Sequence, residues 1–173
     1  EGAQGILLDM DHGFFPHVTH SHTTTKNAIE MINQNFGRNC NVEVNYITRI
    51  YLTRHGAGPL FHENDSPELK ENKDETNCTN EYQGNFRIAP LNLDLIDYAL
   101  NTDAAYSKNT QKNLFVTCIN QTHDSIPVIR NNKLTKSHIH DLDVLDKFNW
   151  NAVYHSYTPT KYGVKLQKSK CTV

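Results

Sequence analysis

Ala28, Ile29, Ile32 and Phe36 fall three and four places apart, the spacing that gathers side chains on one face of a helix. This predicts a helix over residues 23–36 with Gly37 as its stop. Val42 to Tyr51 (VEVNYITRIY) alternates apolar and polar residues instead, as a half-buried strand does. It runs straight into a glycine-rich stretch, Thr53-Arg-His-Gly-Ala-Gly-Pro59. Behind Pro90, a second helix is predicted from about Leu91 to Ser107, burying Leu91, Leu95, Tyr98 and Ala99. Asn113 to Ile119 (NLFVTCI) is a short apolar run and reads as a buried strand. Further strands are expected at Ala152–Tyr157 and after Gly163, the last ending in a basic tail. Residues 61–78 are charged and without period, so they read as an exposed loop. Ser137 to Asp143 reads as a helix with a wet polar face. The alternation of helices and strands predicts an α/β domain over residues 1–173, with a largely parallel central sheet flanked by helices.

The densest chemistry precedes the first helix. Glu1-Gly-Ala-Gln-Gly-Ile-Leu-Leu-Asp-Met-Asp-His-Gly13 continues through Phe14-Phe-Pro-His-Val-Thr-His-Ser-His-Thr-Thr-Thr25. Spacing alone suits a strand, a turn and an N-capped helix. The residue types add to this. Gln4 stands beside Gly5 with little crowding, and its amide both donates and accepts, which suits the edge of a purine base. Ser21-His22-Thr23-Thr24-Thr25 forms a hydroxyl-rich lead-in to the helix, where side-chain oxygens and free N–H groups can hold an anion. A strand ending in a glycine-rich loop, as at Thr53–Pro59, is also where ligands bind in open α/β sheets.

The pattern EGAQGxLLDxDHGxxPxVTxSxTT resembles the central signature of the adenylosuccinate synthetase family. The resemblance implies a P-loop-related nucleotide-binding fold of which this chain is the C-terminal portion, inactive by itself. It implies a ligase joining L-aspartate to the 6-position of IMP, with GTP as the usual co-substrate, magnesium as the cofactor, and a homodimer when full length. The magnesium ligands, the phosphate loop and the catalytic acid and base are expected upstream of Glu1. Gln4 is implied near the purine 6-position as the catalytic amide, with Gly5 beside it and Thr19 at the 5′-phosphate. TRxGxGP is implied near the substrate nucleotide, giving Arg54, His55 (at a variable position) and Gly56. Gly84 and Arg87 match the arginine-rich loop that receives aspartate, but Asn85 and Phe86 replace expected cations. An arginine fork holds a carboxylate through two hydrogen bonds.

At the end of the NLFVTCI strand the family carries Thr-Lys-Leu-Asp, whose Lys and Asp read guanine. Here the matching residues are Thr117-Cys-Ile-Asn120. Cys118 lacks the lysine stem and Asn120 lacks the carboxylate charge, so ATP or a relaxed specificity is expected in place of GTP. Ser156, Tyr157 and Thr158 take the places of a turn that packs on the triphosphate's base. Two further readings stay open: a phage-type relative making the 2-amino analogue from dGMP with ATP or dATP, and a non-catalytic nucleotide-binding homologue.

Composition narrows the partners. Apolar residues make up 37% and the net charge is −2, which argues against nucleic-acid binding and against a polybasic membrane patch. Cys40, Cys78, Cys118 and Cys171 show no CxxC spacing and suit reduced thiols in the cytoplasm. His138, His140, Asp141 and Asp143 read as exposed surface, and His20 and His22 likewise, so no metal site is assigned among them.

Overall fold

A computed structural model describes residues 4–37, 40–70, 77–139, 141 and 148–169. They divide into two compact units, Glu1–Val44 with Leu95–Gln111, and Asn45–Asp94 with Lys112–Val173. The helices are α1 (Lys26–Phe36) and α2 (Leu93–Ala104). The strands are β1 (Glu43–Arg49), β2 (Leu52–His55), β3 (Phe86–Ala89), β4 (Leu91–Asn92), β5 (Gln111–Thr117), β6 (Ser125–Arg130), β7 (Lys133–His138), β8 (Ala152–Ser156) and β9 (Val164–Ser169).

In the first unit, α1 stops at Gly37 as its sequence predicts but starts three residues later. The N–H groups of Thr23 and Thr25 donate to the carboxylates of Asp9 and Asp103, both at 2.6 Å, which holds the threonines outside the helix. The predicted apolar face is not a buried one. Ile29 and Ile32 are half-buried, Ala28 is exposed, and Phe36 is 76% exposed. On α2, Leu100 is buried, whereas Tyr98 is exposed and donates its hydroxyl to the His12 carbonyl at 2.7 Å. Leu100 is the buried apolar residue of this unit among those described; Asp9, Asp103 and Ser107 are the buried polar ones. Hydrogen bonds to carboxylates therefore organise this unit more than an apolar core does.

The second unit is built on strands. One sheet has the order β1-β5-β8-β9. Gln111 N–H donates to Val42 O at one end of β1/β5 and Ile50 N–H to Thr117 O at the other, each at 3.0 Å, so the two strands run parallel. β5 and β8 are parallel, and β9 closes the edge antiparallel. β4 pairs parallel with β6, which turns back antiparallel into β7, and β2 pairs antiparallel with β3. The architecture is α/β with parallel pairing at the centre of its largest sheet, as expected. Leu114, Val116, Ala152 and Val153 are buried there, and Phe115 stacks on Tyr154 across the register at 4.5 Å.

Three element predictions change. The helix expected over Leu91–Ser107 spans Leu93–Ala104, and Leu91 lies in strand β4. The single strand expected over Val42–Tyr51 breaks because Ile50 and Tyr51 are both buried, at 0% and 1% exposure. Adjacent side chains of a regular strand point to opposite faces, so the chain bends there before β2 begins. Ser137 and His138 lie in strand β7, opposite Ile126 and Ser125, and not in a helix. His140 and Asp143 lie outside the described residues.

Candidate functional site

The opening segment is folded on itself by backbone bonds. Ile6–Leu8 forms a 3-10 turn whose closing bond runs from Leu8 N–H to Gly5 O, 2.8 Å. The same Gly5 carbonyl accepts the Thr23 hydroxyl at 2.9 Å. Leu8 O accepts the Thr19 N–H at 2.8 Å. Gln4, exposed and in the left-handed region at φ 53, leads directly into this turn. Gln4 thus precedes one end of this three-residue turn, and the Thr19 backbone is hydrogen-bonded to the other.

Asp9, which follows the turn and is fully buried, is the hub of the segment. Its carboxylate accepts the N–H groups of Asp11 at 2.9 Å and Thr23 at 2.6 Å. Burial pushes its carboxyl up, but the N–H bonds from Asp11, Thr23 and Thr24 and the nearby His12 outweigh that and hold it below its ordinary value. Asp103 acts similarly, accepting both the N–H and the hydroxyl of Thr25. The consequence corrects one expectation: the N–H groups of Thr23 and Thr25 are engaged by carboxylates and are not open to an anion. The hydroxyls of Thr23 and Thr25 are likewise given to Gly5 O and Asp103.

Asp9, Asp11 and His22 bring their ligand atoms within 4.8 Å of one another. They do not suit magnesium, which takes oxygen ligands in a near-ideal octahedron. Both Asp9 oxygens already accept N–H groups, and the third partner is an imidazole. His22 Nδ1 lies 3.2 Å from Asp11, and its Nε2 lies 3.2 Å from Lys26 Nζ. The contacts describe an Asp–His–Lys hydrogen-bonded row, and no chemical step is assigned to a metal here.

In the second unit, the glycine-rich loop is held by two arginines. Arg54 and Arg87 stand opposite each other in the β2/β3 register, where like charges repel. Glu63, from the 3-10 turn Glu63–Asp65, relieves this by pairing with Arg87 through both carboxylate oxygens, one of them at 2.8 Å from Nε. Arg87 Nη1 also donates to Gly56 O at 2.7 Å and to Gly58 O at 2.9 Å. The paired guanidinium holds the Glu63 carboxyl below its usual range and raises the Arg87 value in return. Burial, then the charge of Arg87, lowers that of Arg54. Arg54 Nε donates to Ala57 O at 2.9 Å. Gly58 has φ 110, and a Cβ there would lie 2.2 Å from an Arg54 nitrogen; at Gly56, φ 64, it would lie 2.7 Å from Gln83 O. Gly56 is required by space as well as by φ, whereas Gly58 is required by φ, since the Arg54 side chain can swing aside. His55 lies against Phe86, ring centroids 5.0 Å apart. Gly84, φ 74, closes a tight bridge with Asn80 just before β3.

The remaining predicted residues gather at the C-terminal ends of the neighbouring parallel strands β5 and β8, where open α/β sheets bind ligands. Cys118 follows β5 in the left-handed region at φ 61 and starts the turn that exposes Asn120. Ser156 ends β8 and donates to Thr158 O at 3.1 Å, while Tyr157 N–H bonds Gly163 O at 3.0 Å. Asp9, Asp103 and Glu63 are the organising groups that sequence reasoning missed. Asp9 alone carried a signal, as an acid between apolar and glycine residues.

Curated proteins and a family profile are similar to this chain. The chain is 48% identical over 60 residues to the adenylosuccinate synthetase of Edwardsiella ictaluri, covering 35% of this chain and 13% of that protein. It is 50% identical over 60 residues to that of Blochmanniella floridana, with the same two shares. With that of Polynucleobacter asymbioticus it shares 41% over 74 residues, 41% of this chain and 16% of the relative. The matched stretches thus span well under a fifth of these relatives. The family profile named Adenylosuccinate synthetase, by contrast, matches residues 1–170, and the chain therefore belongs to the adenylosuccinate synthetase family.

Proposed function

We propose that the complete protein carrying this chain joins L-aspartate to the 6-position of IMP, using a nucleoside triphosphate, in purine nucleotide biosynthesis. The observation that carries this reading is the attachment of Gln4 and Thr19 to opposite ends of the turn Ile6–Leu8, within a profile match covering residues 1–170. A purine monophosphate needs a donor–acceptor at its base and a hydroxyl at its phosphate, and Gln4 and Thr19 are residues of those two types.

The reaction has two steps. The γ-phosphoryl group moves from the triphosphate to the purine 6-oxygen, a transfer governed by positioning and charge stabilisation. The aspartate amine then attacks C6, and the C–O bond breaks to release phosphate and leave the succinyl-amino purine. Gln4 donates from its amide to the 6-oxygen as negative charge gathers there. Thr19 anchors the 5′-phosphate. Arg54 and Arg87 hold the carbonyls of the glycine-rich loop that the family places near the substrate nucleotide. The magnesium of the family accompanies the triphosphate and is given no ligand in this chain. A homodimer in the cytoplasm is the expected setting.

The triphosphate is expected to be ATP or dATP. Cys118 and exposed Asn120 offer no charged partner to the guanine N1–H and amine. Steady-state assays of the complete protein, with IMP or dGMP paired against GTP, ATP and dATP, check this. The expected outcome is a succinyl-purine product from IMP, with kcat/KM for ATP at or above that for GTP. Product from dGMP alone would move the reading to the 2-amino analogue. A strong preference for GTP would remove the ATP assignment, and no product from any pair would remove the ligase reading.

A further inference from the structure

The Glu63–Arg87 pair is more than a surface ion pair. A guanidinium has five N–H donors in a rigid fork. Nε and Nη2 of Arg87 each give one to Glu63, and Nη1 gives its two to the carbonyls of Gly56 and Gly58. Four of five donors are therefore engaged, and a bidentate grip on an incoming carboxylate is not available without breaking the pair. The two carbonyls belong to a loop in which both glycines have positive φ, and Gly56 N–H is bonded across to Asn85 O at 2.9 Å. Ser66 adds a tie from the same 3-10 turn, its hydroxyl lying 2.7 Å from Ile88 O on β3.

We infer that Glu63 is a positioning residue: it orients Arg87 so that Nη1 spans the Gly56 and Gly58 carbonyls and clamps the glycine-rich loop in one shape. Arg87 is then a loop buckle, not the receptor for the aspartate carboxylate. The inference deepens the ligase reading, since the loop matters to catalysis only if that reading holds. Charge alone does not suffice for the buckle. Lysine at position 87 would keep the charge but lose the planar fork that reaches three acceptor groups at once.

The test uses the complete protein with Glu63→Gln and Arg87→Lys. Hydrogen exchange is followed by mass spectrometry in a peptide covering residues 52–60, with one covering β5 as the folding control. Both variants are expected to exchange at least about tenfold faster in the loop, with β5 still protected, as for a local opening. In the aspartate assay, both are expected to lose about tenfold or more in kcat, with KM for aspartate changed less than about twofold. Unchanged loop exchange would overturn the inference. So would a lower KM for aspartate in Glu63→Gln, since Glu63 would then be competing with substrate. So would normal exchange and kcat in Arg87→Lys, since charge alone would then suffice. If the wild-type protein makes no product, the ligase reading fails while the exchange result still decides the buckle.

Discussion

Asp9→Ala is expected to cost about 3 kcal/mol or more of stability, the largest effect of any single change in the first unit. The carboxylate is fully buried and serves the N–H groups of Asp11 and Thr23. Removing it strands those donors, each at about 1–3 kcal/mol. Unfolding by heat would show a fall of roughly 6–12 °C, taking about 2–4 °C per kcal/mol for a chain of this size. Asp9→Asn should recover only part of the loss, because its NH2 group must face one of the N–H donors. Asp11→Asn is the matched control. Asp11 is about half exposed, and the change should stay within about 1 kcal/mol.

The same residue carries a pH signature. The folded state holds the Asp9 carboxyl below the ordinary value of 3.8. Folding therefore favours the ionised form, and the stabilisation is complete above that value. It is lost as pH falls through the folded pKa, because the unfolded chain takes up its proton first. The stability gap between wild type and Asp9→Asn should be constant near neutrality and narrow below about pH 4. A gap that stays the same width down to acid unfolding would mean that the charge of Asp9 contributes nothing.

How much of this was legible in the sequence differs by residue, for physical reasons. The glycine–hydroxyl signature could be read because it is contiguous: Gln4, Gly5, Thr19 and the threonines share one segment, and one segment folds as a unit. Parallel strands could be read from apolar runs such as NLFVTCI, whose Leu114 and Val116 are buried. Long-range partners could not. Glu63 sits in a charged run that reads as solvated surface, and its function appears only when strand pairing brings Arg87, 24 positions away, onto it. Asp103 lies on an amphipathic helix, and nothing near it in sequence reveals that Thr25, 78 positions earlier, is its partner. The strand break at Ile50–Tyr51 was hidden for another reason. Alternation describes one face at a time, whereas both of these neighbours are buried.

The second large effect concerns chemistry and not stability. Gln4→Leu in the complete protein is expected to lower kcat by about 10²–10³, the usual consequence of deleting one donor aimed at a developing oxyanion. Leucine is close to glutamine in bulk, one atom shorter, but neither donates nor accepts. The side chain is exposed and has no hydrogen-bond partner among the described residues, so its loss should leave the melting temperature within about 2 °C, as for other surface changes. The pairing of those two outcomes is what makes the test decisive. A structural glutamine would lose stability and activity together, whereas a group that meets only the reacting purine loses activity alone. The KM for IMP should change far less than kcat, because the charge on the 6-oxygen is largest in the transition state and the amide contributes most there. A variant that kept its kcat but bound IMP weakly would make Gln4 a base-recognition residue. A variant with unchanged kinetics would remove Gln4 from the site.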